Sequence, residues 1–301
     1  MNKVLVTGGA GFVGHHLVNK LIDNSYDVVV LDDLSTGKIN NINPKCTFIE
    51  GDIRNEDDIA KAINGCETIF HLAARVELQK TIINPIDCYS VNVIGTTNII
   101  IEAIKNNSKI IFASSCAVYP LNSNKPLSEN NAVNAESPYA ISKLLGEQTL
   151  EFYRKNSSLD SCSLRCFNIY GKKQNAESDY SAVIPKFIKQ AKNGETLKLF
   201  NNGNQTRDFI YIDDVIEAYI NIANSNANGI FNLGTGTETY IKDLANIIIN
   251  IENKSLTENL PNIKGDAIRS CANISKIYSE IGFKPKHTLV EKLIYMYNNP
   301  E

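Results

Sequence analysis

No apolar stretch in the 301-residue sequence approaches the roughly 18 residues that a membrane span needs, which argues against a membrane protein. Nor is there a large excess of either charge. Lys+Arg 30 against Asp+Glu 33 gives a net charge of −3, too little positive charge for a broad nucleic-acid footprint. The seven cysteines include no Cys-x-x-Cys pair, the nearest neighbours being Cys162 and Cys166, so free thiols in a reducing compartment are expected. The four histidines, His15, His16, His71 and His287, lack a metal-ligand spacing, and no metal is expected. Met1 to Val6 runs into a strand pattern without the regions of a signal peptide, which makes a cytoplasmic chain the expectation. What is present, 43% hydrophobic and 21% charged residues, suits an ordinary globular protein with a large core in one or two domains. The frequent asparagine pairs, such as Asn40-Asn41 and Asn201-Asn202, read as a compositional bias of the source genome.

The first half alternates β-branched runs with helical stretches. Val4–Val6, Asp27–Leu31, Thr47–Ile49, Thr68–His71 and Lys109–Ala113 read as buried strands. Helices are expected over His15–Asn24, Ile59–Asn64 and Asn92–Asn106. Such alternation predicts an α/β fold with a Rossmann-type, doubly wound parallel sheet. From about residue 170 the rhythm loosens, so a dinucleotide-binding domain over 1–168 and a smaller C-terminal α/β substrate lobe over 169–301 are expected, with some segments of the lobe returning to the first domain.

The strongest local signal is Val6-Thr7-Gly8-Gly9-Ala10-Gly11-Phe12-Val13-Gly14, between a strand and a helix. Glycines there allow a tight turn, let backbone N–H groups approach a pyrophosphate, and bring the helix close to the sheet. Gly8, Gly11, Phe12, Val13 and Gly14 are therefore expected to bind a dinucleotide. Asp32 ends the second strand, where a carboxylate accepts from the ribose 2′-hydroxyl and repels a 2′-phosphate, which favours NAD over NADP. Asp33 is a substitute for it, either acid also suits a cap for the following turn, and Ser35, Thr36 and Gly37 of that turn are counted with the cofactor site.

Ser137 and Pro138 have the form of a helix start, which places Tyr139 and Lys143 one turn apart on one face. A phenol with an unperturbed pKa of ~10 needs a nearby cation to serve as a base at neutral pH. Upstream, Ser114 and Ser115 stand at the carboxyl end of a predicted strand, where doubly wound sheets place their ligands. Cys116 has no histidine near it in sequence and reads as packing rather than as a nucleophile.

These residues, with Gly51-Asp52-Ile53-Arg54, His71-Leu72-Ala73-Ala74, Asn92-Val93-x-Gly95-Thr96, Arg165 to Gly171, Arg207-Asp208-Phe209-Ile210, Phe231 to Gly234 and Gly265-Asp266 with Arg269, carry a resemblance over nearly the whole chain. The sequence resembles the extended short-chain dehydrogenase/reductase family and, within it, the NAD-dependent epimerase/dehydratase group of nucleotide-sugar epimerases similar to UDP-glucose 4-epimerase.

The resemblance implies Ser115, Tyr139 and Lys143 as catalytic residues. It implies adenine contacts from Asp52 and Ile53, although Asp52 also suits a helix cap, and a cofactor wall of Leu72, Ala73 and Ala74. Asn92, Ser114 and Phe167, with Tyr139 and Lys143, complete the implied cofactor set; Asn92 suits a helix cap equally well. Asn168, Arg207 and Arg269 would hold the diphosphate of a UDP-sugar, since guanidinium groups bind phosphate oxygens bidentately. Asp266 would hold the uridine ribose, and Ser270 would leave room for an N-acetyl group. Ser115-Cys116-Ala117 lacks the Asp-Glu pair of 4,6-dehydratases, which disfavours dehydration. The implied reaction is C4 epimerisation of a UDP-hexose through a 4-keto intermediate. Alternatives are uronate epimerisation, decarboxylation, 4-keto reduction, or a non-catalytic NAD-sensing module. A homodimer through the helices after Asn92 and Pro138 is implied too, with Ile99-Ile100-Ile101 fitting either that face or the core. Arg75-Val76-Glu77 has no assignable role.

Overall fold

The computed structural model describes residues 2–121, 123, 125–175, 182–252, 256–261 and 267–299. In chain order the first half contains β1 (Lys3–Thr7), α1 (Phe12–Asp23), β2 (Asp27–Asp32), β3 (Thr47–Glu50), α2 (Glu56–Ile63) and β4 (Thr68–His71). It continues through α3 (Leu78–Ile83), α4 (Pro85–Tyr89), a π-helical segment Ser90–Gly95, α5 (Thr96–Asn106), β5 (Lys109–Ser115), α6 (Pro138–Asn156) and β6 (Ser161–Cys166). With the strand Gly229–Leu233, β1 to β6 form one seven-stranded sheet in the order Gly229–Leu233, β6, β5, β4, β1, β2, β3. The pairings of β1 with β2 and β4, of β2 with β3 and of β4 with β5 are all parallel. The order reverses between β1 and β4, so the carboxyl ends of these strands, Thr7 and His71, flank the crevice where a doubly wound sheet takes its ligand.

Local chemistry sets the element ends. The Asn55 side chain accepts from the N–H of Asp57 at 2.9 Å, and three acids occupy the first turn of α2, where they oppose the positive helix end. Ser137 Oγ accepts from Ala140 N at 3.1 Å with Pro138 in the first turn, as expected for the start of α6. Apolar residues of β1, β2, β4 and β5 pack with Ile59 and Ile63 of α2 and Ile99, Ile100 and Ala103 of α5. Ile99 and Ile100 are thus core, whereas Ile101 is exposed.

Two expectations for this region need correction. Asn92 does not cap a helix; it lies inside the π-helical segment, which a continuous 3.6-residue pattern conceals. Asp52 does not cap α2 either, since Asn55 holds that position.

The chain divides into two compact units. The first comprises 1–118, 133–165 and 216–231, and the second 119–132, 166–215 and 232–301. Among the described residues, the second contains three short strand pairs: Asn168–Tyr170 with Phe209–Tyr211, Thr206–Arg207 with Thr239–Tyr240, and Leu197–Phe200 with Thr257–Leu260. Its core includes Tyr119, whose hydroxyl donates to Asn232 Oδ1 at 2.7 Å. All seven cysteines are free thiols. Among the described residues, no helix is long and apolar enough to cross a membrane.

Candidate functional site

A cleft in the first unit is lined by Gly8, Gly11, Phe12, Val13, Gly14, Asp32, Asp33, Ser35, Thr36, Asp52, Ile53, Leu72, Ala73 and Ala74. All fourteen come from the expected cofactor set, drawn together from the loops after β1, β2, β3 and β4. Leu31, Gly51, Arg75, Val76 and Val91 also line it. Gly8 has φ +73°, and a Cβ there would come within 2.7 Å of Ala73 N. A Cβ at Gly14 would collide with the carbonyl oxygen of Gly8. The turn therefore closes only with glycine at both positions, and it leads into the amino terminus of α1, which no side chain caps.

Asp32 is 7% exposed; its Oδ2 accepts from Ala10 N and its Oδ1 from Leu34 N, both at 2.9 Å. Burial raises its carboxyl above the usual range, and those two N–H groups oppose the rise. A carboxylate held this way keeps lone pairs for a ribose diol, and it disfavours a phosphate. The glycine turn, the uncapped helix end and Asp32 together fit a dinucleotide without a 2′-phosphate.

Beneath the cleft, Thr7 Oγ1 accepts from Leu72 N and Ala73 N, both at 3.2 Å, and lies 2.8 Å from His71 Nδ1. His71 Nε2 lies 2.9 Å from Thr96 Oγ1. With two N–H groups directed at the Thr7 oxygen, its own proton goes to Nδ1. The ring is then neutral and donates from Nε2. Burial, reinforced by the positive charge of Lys143, depresses the His71 pKa to about 3. His71 thus fixes the floor of the cleft and has no titration near neutrality.

Tyr139 and Lys143 occupy consecutive turns at the start of α6. Lys143 Nζ lies 5.8 Å from the Tyr139 ring centroid and 4.9 Å from that of Phe112. Lys143 is buried and Tyr139 half-buried. Ser115, at the carboxyl end of β5, is half-buried, and its Oγ accepts from Ala117 N at 3.2 Å. Ser114, one residue earlier on the strand, points elsewhere. Its buried hydroxyl donates to Glu147, whose carboxylate also takes Arg165 Nε at 2.9 Å and Nη2 at 2.7 Å.

Asn92 is buried beside this helix. Its Oδ1 accepts from Arg75 N at 2.7 Å, while its Nδ2 donates to Arg75 O and to Ser142 Oγ, each at 3.0 Å. Ser142 in turn donates to Tyr139 O at 2.7 Å. The amide thereby joins the loop after β4 to the first turns of α6, and its side chain is committed to that joint rather than to the cleft. Gly37 is also outside the lining; a Cβ there would meet Ala10 Cβ at 2.6 Å.

In the second unit, Thr206 N donates to Ile268 O at 3.0 Å, and Arg207 Nη1 donates to Ala267 O at 2.7 Å, which brings Arg207 beside the segment carrying Arg269 and Ser270. Arg269 Nε pairs with Glu238, which holds its guanidinium more firmly protonated. Ser270 is buried. Asn168 Nδ2 donates to Asp208 O at 3.2 Å. Phe167 is buried in the same unit, its ring 6.4 Å from that of Tyr119. Asp266 lies outside the described residues.

Residues 4–234 match the family model described as the NAD dependent epimerase/dehydratase family. The chain belongs to that family. It is an enzyme that works with NAD. A relative named putative UDP-glucose 4-epimerase, from Methanocaldococcus jannaschii, is 39% identical over 98% of this chain and 97% of its own. A UDP-N-acetyl-alpha-D-glucosaminuronate decarboxylase from Bacillus cytotoxicus is 34% identical over 84% of this chain and 81% of its own. A solved structure of UDP-N-acetylglucosamine 4-epimerase from Methanobrevibacter ruminantium, in complex with UDP-N-acetylmuramic acid, superposes with a TM-score of 0.94 at 35% identity, covering 99% of this chain and 97% of that one.

Two residues of this epimerase/dehydratase chain escaped the sequence reading. Asp208 is fully buried, and it accepts from Thr235 N at 2.8 Å, Thr235 Oγ1 at 2.6 Å, Gly236 N at 2.9 Å and Ala272 N at 3.0 Å, so one carboxylate fixes two loops beside Arg207 and Ser270. Burial raises its pKa, against those four hydrogen bonds. Its place next to Arg207 in Arg207-Asp208-Phe209 was the available signal. Arg75, in the cleft lining, is the other.

Proposed function

We propose that the protein inverts C4 of a UDP-hexose, UDP-glucose or its N-acetylated counterpart. The observation that carries this reading is the Tyr139–Lys143 pair on α6, with Ser115 at the end of β5, in the same unit as the dinucleotide cleft. The similarity to named 4-epimerases over almost the full chain supports it.

Bound NAD supplies the acceptor, and later the donor, of one hydride. The Tyr139 phenolate takes the proton of the 4-hydroxyl, with the Ser115 hydroxyl as its hydrogen-bonding partner on the sugar. The Lys143 ammonium favours the phenolate over the phenol. Once the 4-keto sugar has rotated so that the opposite face of C4 would receive the hydride, Tyr139 returns the proton to the C4 oxygen. Asn168, Arg207 and Arg269 hold the nucleotide diphosphate and Asp266 the uridine ribose, so the sugar can rotate while its handle stays fixed. The buried Ser270 provides a small side chain where an N-acetyl group would lie.

The test is a product panel. Purified protein incubated with UDP-glucose, UDP-N-acetylglucosamine and UDP-glucuronic acid should yield C4 epimers of at least one of the first two. Release of carbon dioxide from a uronic acid, with no epimer of either neutral sugar, would replace this reading with that of the decarboxylase relative.

We also propose a homodimer through the helices following Asn92 and Pro138. Ile94 and Ile101 on one stretch, and Ile141, Leu145 and Phe152 on α6, are exposed apolar residues in the same unit. Light scattering should give twice the chain mass, and Leu145→Glu should give one.

A further inference from the structure

The backbone of Arg75 is clamped on both sides by Asn92, and its guanidinium reaches three places at once. Nε donates to Asp87 Oδ2 on α4 at 2.9 Å. Nη2 lies 3.3 Å from Asp33 Oδ2, just past β2, and Nη1 donates to Ser35 Oγ. The other oxygen of Asp87 lies 3.7 Å from Arg54 Nη1. Arg54 in turn closes on Asp52, its Nε donating to Oδ2 at 2.8 Å, and holds that carboxyl below the usual range. Asp33, Arg75, Asp87, Arg54 and Asp52 thus alternate in sign without a break.

Three of the five, Asp33, Arg75 and Asp52, line the cofactor cleft, whereas Asp87 and Arg54 stand outside it. The belt therefore joins the loops after β2, β3 and β4 to α4, across the mouth of one cleft. Flanked by two carboxylates, Arg75 is a tie between walls rather than a receptor for a further phosphate. The side chains are 21–37% exposed, so each contact is individually weak and open to salt, and their strength lies in being linked.

We propose that this charge belt is a latch on the cofactor cleft, in which Arg75 ties the loop after β2 to α4 and slows the release of NAD. Arg75 and Asp87 act in it as positioning residues. The inference rests on the cleft and on NAD dependence, and is independent of the sugar substrate.

NAD-loaded protein is passed through a desalting column, and free NAD is followed over time by chromatography, at low and at high ionic strength and without any sugar. Arg75→Gln should release NAD about tenfold faster than the unaltered protein at low salt. Asp87→Ala, which leaves the cleft lining intact, should release it about threefold faster. The double variant should be no faster than Arg75→Gln alone, and high salt should bring the unaltered protein towards the variant rates. Urea unfolding of the NAD-free proteins establishes that each variant is folded; if Arg75→Gln is not, Asp87→Ala and the salt series decide. Release from Arg75→Gln at the unaltered rate overturns the latch. So does an Asp87→Ala variant that leaves release unchanged, because Arg75 would then act on the cofactor by direct contact. Neither result bears on epimerisation, since no sugar is present.

Discussion

Replacing His71 with glutamine removes the only titrating group of the Thr7–His71–Thr96 chain beneath the cofactor loop. In the folded protein its pKa is about 3, whereas an unfolded histidine titrates near 6.5. The folded value is depressed, so the fold keeps the ring neutral while the unfolded chain takes up a proton below ~6.5. Above that pH His71 adds no pH dependence; as pH falls from ~6.5 towards 3, the unfolded state gains progressively. At about pH 5 the gain spans roughly one and a half units at ~1.36 kcal/mol each, or about 2 kcal/mol of stability lost. The geometry gives the reason: a protonated Nδ1 would aim a second donor at the Thr7 hydroxyl, which already directs its proton there. His71→Gln should be less stable than the unaltered protein by about 1–2 kcal/mol at about pH 7.5, through imperfect hydrogen bonds. Urea unfolding of both proteins at about pH 7.5 and pH 5 should show that gap shrinking by about 2 kcal/mol, because groups common to both cancel. Parallel losses in the two proteins would refute the buried neutral ring.

Other substitutions separate stability from chemistry. Tyr139→Phe should lower kcat by about 10²–10⁴-fold while the purified protein still carries NAD, as measured by steady-state assay and cofactor content. Glu147→Ala removes the carboxylate paired with the buried Arg165 guanidinium and should cost about 3–5 kcal/mol in urea unfolding; a loss under about 1 kcal/mol would mean that the ion pair is dispensable. Ser270→Tyr should suppress turnover of N-acetylated UDP-sugars and spare UDP-glucose, and equal effects on both would remove Ser270 from the sugar pocket.

Much of the sheet was legible because its strands are β-branched runs bounded by turn residues, and Thr68–His71 coincides with the observed strand. The glycine turn was legible because its steric demand falls on adjacent residues. Ser114 and Ser115 show where legibility stopped. Both stand at the carboxyl end of β5, yet successive strand residues face opposite ways, and contact with Glu147, 33 positions later, identifies Ser114 as the inward one. Arg75 was opaque for the same reason, since Asp33 and Asp87 come to it from 42 and 12 positions away. The π-helical segment around Asn92 was hidden because its residues fit an ordinary helix; its form goes with side-chain bonds to Arg75 and Ser142, which local propensity does not register.

Isotope tracing distinguishes reversible oxidation at C4, with return of the same hydride, from every other route to the epimer. UDP-glucose deuterated at C4 is incubated with the protein in ordinary water, and the products are read by NMR and mass spectrometry. UDP-galactose that keeps deuterium at C4 is the expected product, with no net accumulation of reduced cofactor. Galactose product that has exchanged its C4 deuterium for solvent hydrogen, or no C4 epimer of this sugar or of its N-acetylated form, would contradict reversible oxidation at C4.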